Sequence, residues 1–176
     1  MLKSLKTYGC LFFFIVACCS LAGCGFHQHG AVPLAAPLKT MYLQTDNPYG
    51  ELARNLKQHL KMSGVHLVAT PQAATSILNI LNEVKSQNLV SINSSQQTRQ
   101  YNLILTLIFE ITDAKGRILI PPQAVSETRS LTLQSNQVLA GGNQASMLYY
   151  QMQRDIVYDV MTRLSSKEAT KVLLSS

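Results

Sequence analysis

Cysteine is scarce in this sequence, and its distribution excludes disulfides from most of the chain. The four cysteines are Cys10, Cys18, Cys19 and Cys24, so no thiol occurs after residue 24 of 176. The long remainder can form no disulfide, although exported proteins often use them. The three cysteines before Cys24 lie in or beside an apolar stretch and do not form a metal-binding or redox cluster.

Sequence motifs for catalysis and nucleotide binding are also absent. The chain contains no Gly-x-Ser-x-Gly segment, phosphate-binding loop or dinucleotide fingerprint. Its formal net charge is +6, but the basic residues form no dense stripe of the kind that nucleic-acid-binding modules carry. We predict that the chain is not an enzyme and binds no nucleic acid. Its mild positive charge favours a phosphate-bearing or acidic partner.

The histidines and paired acids form no recognisable metal site. His27 and His29 make a His-x-His pair, but no acid and no free thiol lies nearby in the predicted mature sequence to complete a site. His59 stands alone, and Asp155 and Asp159, one helical turn apart, are typical of a solvated helix face. The sequence predicts no metal and no dissociable cofactor.

The first 24 residues have the organisation of a lipoprotein signal. Lys3 and Lys6 supply a positive region and residues 11–22 an apolar one, as in secretory signal peptides. The apolar run is shorter than the ~20 residues that span a bilayer. It ends in Leu-Ala-Gly-Cys, where a peptidase cuts before the cysteine. We predict a signal peptide over residues 1–23 and S-diacylglycerol and N-acyl lipid on Cys24; the alternative is an ordinary signal peptide with a chance cysteine.

The predicted lipid would anchor the protein in a membrane. One acyl chain gives marginal binding, whereas the two or three chains of a mature bacterial lipoprotein give a durable anchor. Gly25 stands where enterobacterial lipoproteins retained in the inner membrane have Asp, so we predict the outer membrane. Residues 24–37, which include Pro33 and Pro37, are predicted to be a tether.

Residues 38–166 are predicted to be one domain that begins with a strand and a helix. A short apolar-rich run, residues 39–44, predicts the strand. Asn47 is suited to cap the helix and Pro48 to open it. Gly64 is suited to end it. The apolar stripe of this helix consists of Leu52, Leu56 and Leu60.

Three antiparallel strands are predicted in the middle of the domain. Residues 76–84 are rich in β-forming residues, and a polar segment, residues 91–97, connects them to the clearest strand. Gly116 lies in the hairpin turn that follows this strand. Pro121 and Pro122 cannot donate to a ladder, so the third strand is predicted to be at an edge or interrupted. The apolar face of the clearest strand consists of Tyr101, Leu103, Leu105, Leu107, Phe109 and Ile111.

A long helix is predicted to close the domain, from about residue 144 to residue 164, after a loop at residues 141–143. Residues 167–176 are predicted to be a polar, disordered tail. Two amphipathic helices on one face of a small mixed or antiparallel sheet of about four strands give an α+β two-layer sandwich. The helix stripe is Leu148, Met152, Ile156, Val160 and Leu164.

Short segments along the chain follow an order typical of one known family. They are Cys24-Gly25-Phe26-His27 with Gly30; Asp46 and Pro48; Arg54, Leu56 and Leu60 in a helix closing at Gly64-Val65; Tyr101; Gly116; Pro121 and residues 125–129; and residues 138–140 before a helix ending at Arg163-Leu164. No single segment is specific, but the ordered set resembles the LptE family of lipopolysaccharide-assembly lipoproteins over essentially the whole mature chain.

The resemblance implies a non-enzymatic role in the outer membrane. Members of the LptE family form a plug inside the large β-barrel LptD, help that barrel assemble, and help lipopolysaccharide reach the outer leaflet. The implied location is the periplasmic side of the outer membrane or the barrel lumen, whose wall is polar.

The resemblance also implies contact with lipopolysaccharide through basic residues near the hairpin loop and before the last helix. Here the loop, residues 94–97, is uncharged, and residues 141–142 are glycines. Arg99, at the end of the loop, is therefore the best candidate, and Lys115 and Arg129 are weaker ones. For each of them a solvated surface charge is an equally good interpretation.

Three alternatives stay open at this point. Another outer-membrane lipoprotein, a subunit of a secretion, pilus or barrel-assembly machine, would share the anchor but lack the LptD partner. A periplasmic enzyme or hydrolase accessory would need a pocket lined by paired acids or a histidine. A ligand-binding lipoprotein would need a deep apolar cavity between the helices and the sheet.

Overall fold

The described part of the chain contains three helices and five strands. The structure, a computed structural model, describes residues 34–93, 98–134 and 138–175. The predicted signal peptide, Cys24, His27, His29 and residues 94–97 lie outside this part. No helix in the described part of the chain is both long and apolar enough to cross a membrane. The elements are β1 (Thr40–Gln44), α1 (Glu51–Met62), β2 (His66–Leu67), β3 (Ser76–Ile92), β4 (Thr98–Thr112), β5 (Ile118–Gln134), α2 (Val138–Leu164) and α3 (Lys167–Ser175).

The strands form one mixed sheet in the order β2-β1-β3-β4-β5. β1 is parallel to both of its neighbours, whereas β3, β4 and β5 are antiparallel to one another. The predicted α+β fold with helices packed against a mixed sheet is confirmed. The sheet has five strands where about four were predicted, because His66 and Leu67 pair with Thr40 and Met41 of β1.

The core lies between the helices and the apolar face of β4. The predicted alternation is confirmed: Leu103, Leu107, Phe109 and Ile111 are fully buried, and Leu105 is 1% exposed. Burying each such side chain contributes about 1.5–3 kcal/mol. The predicted helix stripes form the other side of this core, where the fully buried residues are Leu56 and Leu60 of α1 and Met152, Ile156, Val160 and Leu164 of α2.

The first helix ends as predicted but begins later than predicted. Gly50 is the N-cap, and α1 starts at Glu51. The amide of Gly50 donates to the Asn47 carbonyl at 3.1 Å, so Asn47 and Pro48 belong to a turn before the helix instead of its cap and first turn. At the other end Gly64 has a φ of +79°, a left-handed conformation that glycine adopts without strain and that terminates helices.

The third long strand lies at the edge of the sheet, as its two prolines predict. β5 continues through Pro121 and Pro122 without interruption. Its register with β4 shifts between Phe109 and Ile111, opposite the prolines. A bulge on an edge strand tolerates residues that cannot donate a hydrogen bond, so the strand continues.

The long helix begins earlier than predicted, at Val138, and includes the two glycines assigned to a loop. Gly141 is buried against β5, and a Cβ atom added there would lie 2.7 Å from Cδ1 of Leu133. Gly142 has no atom within 4 Å of such a Cβ position. Gly141 thus permits the close approach of α2 to β5, whereas Gly142 has no packing role.

This difference predicts opposite outcomes for two neighbouring alanine substitutions. Gly142→Ala should raise the free energy of unfolding by about 0.5–1 kcal/mol, because alanine favours a helix interior more than glycine does. Gly141→Ala should not raise the free energy of unfolding in this way, because Leu133 must move to make room for the methyl group. Urea denaturation of the two variants measures the difference. Equal stabilisation of both would contradict this packing of α2 on β5.

Two predicted boundaries of the domain are wrong. Lys167–Ser175, predicted to be disordered, forms α3, and its Leu173 is only 4% exposed because it joins the core. At the other end, Leu34 of the predicted tether is 6% exposed and packs in the same core. In both segments a leucine reaches the core, although the segment is short and only weakly apolar. Hydrophobic periodicity cannot predict a contact of this kind.

Candidate functional site

The long strands place most of their charged side chains on the face that α2 covers. Residues directly opposite each other on neighbouring strands point to the same face of a sheet, and the buried leucines of β4 mark the covered face. The register places Glu83 and Lys85 of β3, and Glu127 and Arg129 of β5, opposite those leucines. A pair of opposite charges therefore borders α2 on each side.

Arg129, one of the predicted lipopolysaccharide contacts, joins α2 to the sheet. Its guanidinium donates to Glu127 at 3.0 Å and to Asp155 of α2 at 2.6 Å. Asp155 was predicted to lie on a solvated helix face, but it reaches back to β5. Two carboxylates surround this cation, so Arg129 is poorly placed to hold a phosphate as well.

A second polar cluster fixes the opposite side of α2 to β3. The Gln153 amide, in a side chain only 7% exposed, donates to Glu83 at 2.7 Å, and Lys85 lies 3.4 Å from the same carboxylate. The Tyr149 hydroxyl donates to the Ser86 carbonyl at 2.7 Å, and burial raises the pKa of this hydroxyl. The Lys85 ammonium lies 5.8 Å from the centre of the Tyr149 ring, within cation–π range.

The three predicted lipopolysaccharide contacts do not lie together. Arg99 is paired in register with Leu133, four residues along β5 from Arg129, which is about 13 Å. Lys115 lies in the turn after β4, about 40 Å from Arg99 at the usual rise per strand residue. Arg99 and Lys115 are exposed and have no ion-pair partner among the described residues. One headgroup therefore cannot contact all three.

The turn that carries Lys115 is organised by Asp113. The amide of Arg117 donates to Asp113 Oδ1 at 2.8 Å and is the main cause that lowers the pKa of this carboxyl. Partial burial of the Asp113 carboxyl raises its pKa and so opposes this effect. The hydrogen bonds from the Lys115 amide and the Arg117 guanidinium lower the pKa further. The pKa of Asp113 in the folded protein therefore lies below its value in the unfolded chain. The stabilisation that its carboxylate gives the turn is present at a pH above the unfolded pKa and is lost as the pH falls through the folded pKa.

The face of β3, β4 and β5 that no described helix covers, here called the open face, is almost free of charge. It has four rows of three residues: Asn88, Asn102 and Ser130; Ser86, Ile104 and Thr128; Val84, Thr106 and Ser126; and Asn82, Ile108 and Ala124. Hydrogen bonds cross the strands at Thr106–Ser126, 3.0 Å, and from Ser130 to Asn102, 3.3 Å. In the next row Glu110 accepts from Asn79 at 3.3 Å.

Two grooves among the described residues match neither the enzyme nor the ligand-binding alternative. A groove of about 470 Å³ lies between α1 and α2, lined by His59, Gln151, Arg154, Asp155 and Tyr158. It brings a histidine near an acid, but Asp155 is engaged by Arg129, and none of the lining residues is a serine, threonine or cysteine nucleophile. This groove is open to solvent, and each of its lining side chains carries a polar group, unlike the lining of a deep apolar cavity.

A second groove, of about 440 Å³, lies at one end of the sheet beside the Asp113 turn. Its acids include Asp46, Glu110 and Asp113. Glu110 accepts a hydrogen bond from Asn79, and Asp113 is occupied by its own turn. Within the described residues, no group of three or more histidine or acidic side chains is arranged to hold a metal ion.

Sequence reasoning missed the two polar clusters that border α2, although the sequence contains a signal for them. β3 and β5 each have an acid and a base two residues apart, Glu83 with Lys85 and Glu127 with Arg129. Residues two apart in a strand share a face, so each pair must lie together. The helix residues that complete the clusters cannot be identified without knowing how α2 lies on the sheet.

Comparison with known proteins decides the family. The sequence profile of the LptE family, described as lipopolysaccharide-assembly, matches residues 38–164, from just before β1 to the end of α2. The chain belongs to the LptE family. The resemblance predicted from the sequence is therefore confirmed. Lipopolysaccharide assembly is the role for which the LptE family is named, and this is not a known family of enzymes.

Individual relatives agree with the LptE assignment. The LPS-assembly lipoprotein LptE of Pectobacterium atrosepticum is 30% identical over 159 residues, which cover 88% of this chain and 78% of that protein. The LPS-assembly lipoprotein LptE of Photorhabdus laumondii is 27% identical over 109 residues, 62% of this chain and 56% of that protein, less than two thirds of its length. The crystal structure of a minor lipoprotein from Acinetobacter baumannii has a similar fold, with a TM-score of 0.63 and 24% identity over 76% of this chain and 93% of that chain.

Proposed function

We propose that this protein is an outer-membrane lipoprotein that plugs an LptD-type β-barrel, helps that barrel assemble, and helps lipopolysaccharide reach the outer leaflet. The observation that carries the proposal is the LptE match over residues 38–164. The match includes all five strands and the two longest helices, so it concerns most of the packed domain and not one motif.

The anchor and the domain are compatible with this location. A fully extended chain covers at most about 3.3–3.6 Å per residue. Leu34, which lies in the core, is ten residues from the predicted lipid on Cys24 and stays within about 35 Å of it. The apolar band of an outer-membrane barrel is about 25 Å tall. A domain on this tether therefore remains within reach of a barrel in the same membrane.

Direct contact with lipopolysaccharide, if it belongs to this function, is best assigned to Arg99. Arg129 is surrounded by two carboxylates, and Lys115 lies at the far end of the sheet. Arg99 is exposed at the start of β4, beside the hairpin loop where the family resemblance places the contact. A phosphate binds most strongly to a guanidinium that has no competing carboxylate.

Purification of the complex tests the proposed function. The full chain, tagged at its C-terminus, is isolated from detergent-solubilised outer membranes, and the proteins that accompany it are identified by mass; cells with the untagged chain are the control. We expect a near-equimolar LptD-type barrel. Recovery of the chain with a secretion, pilus or barrel-assembly machine and no such barrel would favour the alternative lipoprotein role and overturn the plug.

A further inference from the structure

We propose that the end of the domain from which the predicted tether leaves docks on anionic phospholipid headgroups of the membrane that holds the lipid anchor. This end is here called the tether end, and it consists of the segments around Lys39, Lys61, Lys115 and Lys167. The inference rests on the proposed function for the lipid on Cys24, but it does not require the barrel.

Pairing within the sheet brings these segments to one end of the domain. The first residues of β1 and β3 pair with each other, and the first residues of β3 and β5 pair with the last residues of β4. The β4–β5 turn, residues 113–117, therefore lies at the same end of the sheet as the start of β1. The α1–β2 connection lies there as well, because His66 of β2 pairs with Thr40. The end of α2 follows, since Arg163 donates to Gln123, near the start of β5, at 3.3 Å.

The chain toward Cys24 leaves the domain at the tether end. The segment before β1 is fixed there by Thr75, whose hydroxyl lies 2.7 Å from both the Pro37 and the Thr40 carbonyl oxygens and donates to either. Leu34 is buried in the core and is only ten residues from Cys24. A short tether of this kind raises the local concentration of the domain at the bilayer surface to about the millimolar range, so even weak contacts with the headgroups become populated.

The tether end carries an excess of positive charge. Its four lysines, Lys39, Lys61, Lys115 and Lys167, are exposed, and none of them has an ion-pair partner among the described residues. The acids of the same segments are Asp113, which Arg117 engages, and Glu168. Each lysine or arginine near an anionic membrane surface strengthens binding about fivefold. The attraction acts within a Debye length, about 8 Å at physiological salt.

Two exposed apolar side chains lie among these lysines and distinguish a phospholipid surface from other anions. Met62 follows Lys61 at the end of α1, Ile118 follows the β4–β5 turn, and each is 56% exposed. Such side chains enter the boundary between headgroups and acyl chains, while the flexible stems of neighbouring lysines keep their ammonium groups at the phosphates. A free phosphate offers nothing apolar to Met62 and Ile118.

Fluorescence quenching by brominated phospholipids tests the inference on the lipidated full chain. The sequence contains no tryptophan, so Met62→Trp or Ile118→Trp reports on the tether end alone. Met147→Trp, at a position of α2 that is 65% exposed, is the matched control. Each protein is inserted into phosphatidylcholine vesicles with or without phosphatidylglycerol.

We expect the two tether-end tryptophans to be quenched at least about twofold more strongly than the control in vesicles that contain phosphatidylglycerol, and this difference to disappear without that lipid or at high salt. Equal quenching at all three positions overturns the inference. Stronger quenching at the tether end that is the same with and without phosphatidylglycerol also overturns it, because the contact would then not depend on anionic headgroups.

Lys115→Glu, made in the Ile118→Trp protein, adds a second readout. Reversing this charge should lower the quenching of the tryptophan to the level of the Met147→Trp control. Arg154→Glu, the same charge change at an exposed residue of α2, should leave the quenching unchanged. Equal thermal midpoints for the two variants show that folding is not the cause. Unchanged quenching with Lys115→Glu overturns the inference.

Flotation of the same vesicles separates failure of this inference from failure of the proposed function. A chain that floats with vesicles of either composition is anchored by its lipid, and the quenching results then decide the inference alone. A chain that floats with neither has no lipid anchor, which overturns both the inference and the lipoprotein role on which it rests.

Discussion

Phe109→Ala should lower the free energy of unfolding by about 3–5 kcal/mol, the usual cost of truncating a buried phenylalanine. Phe109 is fully buried near one end of the apolar face of β4 and is among the largest side chains in the core. The methyl group of alanine would leave a cavity that rigid neighbours from the sheet and α2 cannot fill. Since natural domains are stable by roughly 5–15 kcal/mol, this variant should lose a large part of its stability.

Urea denaturation followed by circular dichroism measures this loss, and the next residue provides the control. Ile108 points to the open face and is only half-buried, so Ile108→Ala should cost about 1 kcal/mol or less. The two substitutions remove apolar atoms from adjacent positions on opposite faces of the same strand. Similar losses for both would mean that the helices do not pack on the face that contains Phe109.

Cys24→Ser should abolish incorporation of labelled fatty acid and leave the protein unprocessed. The predicted diacylglyceryl group would be attached through the cysteine sulfur, and a serine hydroxyl at that position is a far weaker nucleophile. The expected result is therefore loss of the label, together with accumulation of a longer precursor on a denaturing gel. Metabolic labelling with radioactive palmitate and electrophoresis measures both quantities in one experiment.

Cys19→Ser is the matched control for lipidation. Cys19 lies in the same predicted signal region, five residues before Cys24, but the signal pattern assigns it no lipid. This variant should be labelled and processed like the unaltered protein. Normal labelling of Cys24→Ser, or loss of label from Cys19→Ser, would show that the lipid position has been misassigned.

The elements predicted well from the sequence are those with strong periodicity. The two-residue alternation of β4 and the four-residue stripes of α1 and α2 each describe a complete buried face, which side-chain geometry alone specifies. The elements predicted poorly depend on contacts between distant segments. β2 is two residues long and is a strand only because β1 lies beside it. The requirement for glycine at position 141 likewise comes from Leu133, which lies on a different element and fills the space that a Cβ atom would take.

The candidate contacts with lipopolysaccharide show the same limit. The sequence identifies Arg99, Lys115 and Arg129 as cations, but it does not give their separation or their partners. The structure places the first two near opposite ends of β4 and pairs the third with Asp155, which is 26 positions away along the chain. Similarly, the open face is visible in the sequence as alternate Ser, Thr and Asn residues. Only the sheet order shows that three strands with such residues adjoin, with no described helix over this face.

The position of β1 has a consequence for the order of folding. β3, β4 and β5 are joined by short connections and close only small loops, whereas Met41 of β1 pairs with Ser76, far along the chain. Closing longer loops costs more entropy, and distant pairings form more slowly. β1 should therefore enter the sheet late, bringing β2 with it, after the three-stranded meander has formed. The strand that is closest in sequence to the predicted lipid is then among the last parts of the sheet to form.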